Sequence, residues 1–141
     1  MNTNPFAPDF DDLPATLPVF PLTGVLLLPS GNLPLNIFEP RYLQMIDAAM
    51  SSHRLIGMIQ PKEPNQNGHR PDPEMSVTGC AGKIVDYSET EDGRYIITLN
   101  GVCRFKVEEE LETTTEFRQI KPDWAPFKKD LKAGTCQDLN R

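Results

Sequence analysis

Leu17-Pro-Val-Phe-Pro-Leu-Thr-Gly-Val-Leu-Leu-Leu-Pro29, continued by Leu33-Pro-Leu-Asn-Ile-Phe-Glu-Pro-Arg-Tyr42, is the stretch from which the fold is read. Short apolar runs stop at Pro21, Pro29, Pro34 and Pro40. Proline fixes φ and carries no backbone N–H, so each run is limited to a short strand or a strand edge. The pattern predicts strands at 17–22 and 25–28 joined at Thr23-Gly24, a turn at Ser30-Gly31-Asn32, and a third strand over 33–38. A sheet whose strands are cut this short curls into a small barrel or half-barrel.

Pro40 opens a helix expected to run to about Ser52. Proline is tolerated at the first helical position, where its missing donor would be unpaired anyway. Tyr42, Leu43, Ile46, Ala49 and Met50 recur at helical steps and form the stripe that faces the sheet. Arg41, Gln44, Asp47 and Ala48 form the outer face. Glu39 and Arg41 flank the helix start. A carboxylate is favoured at the positive helix end, and the arginine fork suits either a clamp between helix and sheet or contact with a partner.

Downstream, Leu55–Gln60 reads as a buried strand, and the proline- and amide-rich Pro61–Glu74 as a long surface loop. Val77–Ser88 is a strand in which Gly79 and Gly82 mark a bulge or a close backbone approach. Glu91-Asp-Gly93 signals a hairpin turn. Arg94–Leu99 and Val102–Glu108 are predicted as separate strands joined by a second hairpin at Asn100-Gly101, a pair that tolerates positive φ. Cys103, Phe105 and Val107 point inward. The acidic run Glu108–Glu116 reads as a solvated edge, and Phe117–Trp124 as a last strand interrupted by Pro122. The domain is thus expected over 15–125, between a flexible tail at 1–14 and a segment 126–141 that is either a tail or the start of a helical subdomain.

With 141 residues, 38% of them hydrophobic, the chain suits one domain with a genuine core, and 14 prolines argue against a helical bundle. A net charge of −6 without any basic stripe argues against nucleic acid as a partner. The longest apolar run, Val25–Leu28, falls far short of the ~20 residues of a membrane helix. The start of the chain is acidic, the wrong charge for a secretory signal. Cys80, Cys103 and Cys136 show no C-x-x-C spacing, a pattern of buried thiols in a reducing compartment, so a cytoplasmic location is expected.

No catalytic pattern is present. Gly82-Lys83 is followed by Ile84, without the glycine spacing or hydroxyl of a phosphate-binding loop. There is no G-x-S-x-G elbow. His53 and His69 have no cysteine or carboxylate at ligand spacing. No catalytic residue, no cofactor and no metal site is expected.

The residues Leu17-Pro-Val-Phe-Pro-Leu22, Leu28-Pro-Ser-Gly31, Leu33 to Tyr42, Gly79-Cys-Ala-Gly-Lys-Ile84 and Asp92-Gly-Arg-Tyr95 through Leu99-Asn-Gly-Val-Cys-Arg-Phe105 resemble the N-terminal domain of ATP-dependent Lon proteases. They resemble more closely the small stand-alone proteins that carry this domain. The resemblance covers about Leu17 to Trp124. It implies a mainly β fold with one packed helix, a PUA-like pseudo-barrel of about six short strands. Phe38, Glu39, Pro40, Arg41, Tyr42, Gly101, Arg104 and Phe105 are its fold-defining positions. It also implies a non-catalytic module that binds unfolded or tagged polypeptides, because these residues hold neither the ATPase nor the Ser-Lys peptidase motifs of Lon. Short strand edges and apolar grooves beside a helix suit such a ligand, with Arg41, Gln44, Met45 and Met58 as candidate contacts. Two other readings stay open: a scaffold that binds one folded partner or itself, and a PUA-like binder of RNA or a small ligand, which the acidic balance disfavours.

Overall fold

The computed structural model describes residues 10–61 and 76–131. Six strands form one sheet: β1 (Leu17–Pro21), β2 (Asn32–Ile37), β3 (Leu55–Ile59), β4 (Thr78–Glu89), β5 (Tyr95–Glu110) and β6 (Arg118–Asp123). One α-helix, α1 (Pro40–Met50), lies between β2 and β3, and short 3₁₀ segments occupy Phe10–Asp12 and Ala125–Leu131. The three strands that contain proline, β1, β2 and β6, are five or six residues long; of the three without it, β4 and β5 run for 12 and 16 and β3 for five.

The sheet runs β2-β5-β4-β3-β1-β6, and an added β5–β6 pairing closes β5, β4, β3, β1 and β6 into a pseudo-barrel. β4 occupies one edge of β5, from Tyr95 to Lys106. The opposite edge is shared: β2 takes Tyr95–Asn100 and β6 takes Lys106–Glu110. β1 and β3 are parallel, with α1 in the crossover between them. β3 is apolar along its whole length because both its faces are covered. Ile56 and Met58 join the core beneath α1, with Tyr42, Ile46 and Leu99; Leu55 and Ile59 join the barrel interior, with Leu17, Phe105 and Trp124.

Asn100-Gly101 does not turn. β5 passes straight through it, so the two expected strands are one. The register slips between Ala81 and Gly82, where Gly82 faces Gly101 and Ala81 faces Cys103. Gly101 is needed for another reason. A Cβ built there would lie 2.0 Å from the carbonyl oxygen of Leu28, because the chain from Leu28 to Gly31 crosses β5 at this point. Ser30 N–H donates to the Gly101 carbonyl at 2.7 Å and Gly101 N–H donates to that of Gly31 at 2.9 Å. Nor is Val25–Leu28 a strand. The chain meets β5 just beyond it, at Pro29, Ser30 and Gly31, so Val25–Leu28 forms a crossing segment, with Leu27 buried and Leu26 and Leu28 outside.

α1 ends at Met50, one turn's fraction short of the expected Ser52, and Arg54 at φ 62 completes the exit by donating its N–H to the Ala49 carbonyl. Met45 is fully buried and belongs to the inner stripe, not to an accessible contact face. In the Phe38–Tyr42 motif the core residue is Tyr42, whose ring lies 4.3 Å from that of Phe20, while Phe38 is 64% exposed. Residues on either side of the six strands also pack on the sheet. Phe10 and Leu13 pack on the barrel core, and the Trp124 indole N–H donates to the Pro14 carbonyl at 3.0 Å. Ala125–Leu131 docks on β5 through Asp130, which is 4% exposed. The expected loop at 61–74, His69, Cys136 and the segments 1–9 and 132–141 lie outside the described residues, apart from Pro61.

Candidate functional site

The crossing segment follows from its sequence. Along this all-apolar run burial alternates: Leu27 enters the core and Val25 packs half-buried against it, which leaves Leu26 and Leu28 on the solvent side. Leu26 is 69% and Leu28 56% exposed. Isolated exposed leucines are unremarkable, but these two border a concavity.

That concavity is an apolar groove of about 230 Å³ between Val25–Leu28 and the ends of β3 and β4. Met58, Gly79 and Cys80 line it from the sheet, and Gln60, Thr78 and Arg104 from the rim. Hydrogen bonds fix both walls. The Gln60 side-chain amide donates to the Val25 carbonyl at 3.2 Å, and Leu22 N–H donates to that of Ile59 at 3.0 Å. Among the described residues Arg104 is the one charged side chain in the lining, and it is held in place. Its Nε and Nη2 donate to the two Asp130 carboxylate oxygens at 3.0 and 2.9 Å, and its guanidinium lies over the Phe127 ring. Asp130 Oδ2 also accepts from the Arg104 backbone N–H at 2.9 Å, satisfying the β5 edge between the crossing segment and β6.

At about 230 Å³ the groove is smaller than the usual ~300–1,000 Å³ of small-molecule sites and has the volume of roughly one or two apolar side chains. Its thiol is not a nucleophile. Burial, reinforced by the Asp130 carboxylate, pushes Cys80 up from 9.0 to about 12, and burial does the same to Cys103. Among the described residues no cluster of three His, Cys, Asp or Glu side chains could hold a metal ion, and no helix is long and apolar enough to cross a membrane.

The four candidate contacts are not brought together. Met58 lines the groove, although only 4% exposed. Arg41 stays on the helix, 3.5 Å from Glu39 and over the Tyr42 ring. Gln44 is exposed on the same helix, and Met45 is buried. None of the groove residues comes from α1. Sequence reasoning missed Leu26, Leu28 and Thr78. The available signal was the unbroken Val25-Leu-Leu-Leu28 run between Gly24 and Pro29, too apolar for a strand with one solvated face. A second cavity, of about 260 Å³, lies between the end of α1 and β1 and β6, with His53, Thr16 and Gln119 in its lining. No large exposed apolar side chain borders that one.

The family described as "ATP-dependent protease La (LON) substrate-binding domain" matches residues 16–137. The Lon protease of Parabacteroides distasonis is 30% identical over 134 residues, covering 88% of this chain and 16% of that protein. The Lon protease of Desulfosudis oleivorans is 28% identical over 103 residues, covering 73% of this chain and 13% of that protein. The chain therefore spans a small fraction of these curated relatives. The crystal structure of a Lon N-terminal domain protein from Xanthomonas campestris superposes with a TM-score of 0.60 at 26% identity, over 77% of this chain and 59% of that one. The N-terminal domain of a Mycobacterium avium complex Lon protease shares the fold, with a TM-score of 0.59 at 16% identity over 77% of this chain and 54% of that one.

Proposed function

Since the chain belongs to the substrate-binding domain family of the ATP-dependent Lon proteases, we propose that it binds extended, apolar stretches of polypeptide and performs no reaction on them. The observation that carries this reading is the exposure of Leu26 and Leu28 on the border of an apolar groove with walls fixed by hydrogen bonds. An unfolded segment lays one or two side chains between Leu26, Leu28 and Met58, while the rest of its length touches the surrounding surface. Such contacts give weak, sequence-tolerant binding, as ordering the ligand offsets much of the burial gain.

The test is titration of the full chain with a permanently unfolded, fluorescently labelled model protein and with its native counterpart. Saturable binding of the unfolded form alone is expected. Leu26→Ser with Leu28→Ser should weaken it at least about tenfold, each exposed leucine giving up on the order of 1 kcal/mol of contact, with an unchanged denaturation midpoint. Equal binding by the double variant would remove the groove from this role. Exposed Phe38 and Ile96 favour a second reading, association with a folded partner or a second copy. Sedimentation showing a concentration-dependent dimer that Phe38→Ser abolishes would support it.

A further inference from the structure

Asn-Gly is the dipeptide in which a side-chain amide is most open to attack by the next backbone nitrogen, because glycine presents no side chain in the way. In the unfolded chain the deprotonated Gly101 nitrogen attacks Asn100 Cγ, and the Cγ–Nδ2 bond breaks with loss of ammonia. Water then opens the resulting succinimide at either carbonyl, leaving aspartate or isoaspartate. The native structure opposes each requirement. Asn100 sits in an extended strand, and ring closure needs rotation about its Cα–C bond out of that conformation. The Gly101 N–H is occupied by the Gly31 carbonyl at 2.9 Å. Asn100 is only 6% exposed, and its Nδ2 donates to Asn32 Oδ1 at 3.0 Å.

We propose that Asn100-Gly101 is a modification site that the fold keeps closed: it deamidates only when β5 separates from the crossing segment and β2, and the product bars return to this fold. The bar has two parts. Either product exchanges a neutral amide for a carboxylate at a position only 6% exposed and loses the Nδ2 donor to Asn32. Isoaspartate also inserts a methylene into the β5 backbone beside the point where the Leu28 carbonyl leaves no room for a single Cβ. Deamidation at Asn100 is then a covalent record that this molecule has been unfolded.

The test incubates the full chain at pH 8, native and in guanidinium chloride, and follows peptides containing Asn100 and Asn67 by mass spectrometry. Asn67-Gly68 is the other Asn-Gly pair, and in denaturant it provides the reference rate for the same dipeptide. In denaturant the two asparagines should react at similar rates. In buffer Asn100 should be slower on the order of a thousandfold or more, the factor set by the rarity of global unfolding. Asn67→Gln is then denatured for increasing times and diluted into buffer, and the native Trp124 emission should be lost in proportion to Asn100 modified. Asn100→Asp should be folded poorly or not at all. Native deamidation within tenfold of the denatured rate overturns the protection. Recovery of native emission by deamidated chains overturns the bar to refolding.

Discussion

Replacing Gly101 with alanine tests the crossing of Leu28–Gly31 over β5. The added Cβ would sit 2.0 Å from the Leu28 carbonyl oxygen and 2.8 Å from its carbon. Both are backbone atoms, and the oxygen is already held by the Gly31 N–H at 2.9 Å, so no side-chain rotation relieves the clash. The crossing segment must lift by more than an ångström. That breaks the 2.7 Å bond from Ser30 N–H and the 2.9 Å bond from Gly101 N–H. Two such bonds contribute about 1 kcal/mol each, and overpacking adds about 1–3 kcal/mol. The lower entropy of alanine in the unfolded chain offsets about 0.4–1 kcal/mol. The net expectation is a loss of about 2–4.6 kcal/mol, read from guanidinium denaturation followed by the emission of Trp124, the single tryptophan. Gly24→Ala is the control. Its φ is +80° with nothing within 4 Å of the new Cβ, so it should cost only the backbone strain of about 1–2 kcal/mol. Leu28→Ala should not rescue Gly101→Ala, because the obstructing atoms are main chain. A Gly101→Ala midpoint within about 0.5 kcal/mol of the parent, or rescue by Leu28→Ala, would refute the reasoning.

Asp130→Ala removes the acceptor of three Arg104 N–H groups, one of them the β5 backbone, and should cost about 2–3 kcal/mol in the same titration; a loss under 0.5 kcal/mol would mean that the Ala125–Leu131 segment is not anchored there. Cys80 and Cys103 should resist iodoacetamide at pH 8 in buffer and react fully in denaturant; rapid native labelling would contradict their burial. Both thiols hold their protons to about 12 in the folded chain, against 9.0 when free. Their contribution is therefore fully present below pH 9 and is lost as pH rises toward 12, because the unfolded chain ionises first. Tyr95, whose hydroxyl donates to Asp47 Oδ1 and whose pKa is raised by that bond, acts in the same direction. Cys80→Ala with Cys103→Ala should flatten the alkaline fall in the denaturation midpoint.

What could be read along the chain was whatever local chemistry decides. Pro21 and Pro40 marked the end of β1 and the start of α1, although β2 runs on through Pro34, and the Leu55–Ile59 run marked a strand covered on both faces. Asn100-Gly101 defeated the reading because positive-φ tolerance and the absence of a Cβ are carried by the same residue. Only the Leu28 carbonyl, far away in sequence, distinguishes a turn from a close approach. Met45, a candidate contact on sequence grounds, is buried with Tyr42, Ile46 and Ala49, because α1 buries a wider arc than the Tyr42, Leu43, Ile46, Ala49, Met50 stripe. The packing of Ala125–Leu131 depends on a buried aspartate, which no hydrophobic pattern reports. The groove was illegible for a related reason: its walls, Val25–Leu28 and the ends of β3 and β4, meet only after the barrel closes.

The two-tenant edge of β5 sets a timetable for synthesis on the ribosome. Leu17 finds its antiparallel neighbour only at Ile120, so a nascent chain that has emerged through Glu110 can assemble the β4–β5 hairpin and seat β2 yet still lack the stave that shuts the ring. Until β6 clears the exit tunnel, the faces of Leu17, Val19 and Phe105 have water for company, and for that interval the newborn chain is itself an unfolded polypeptide with apolar segments on display.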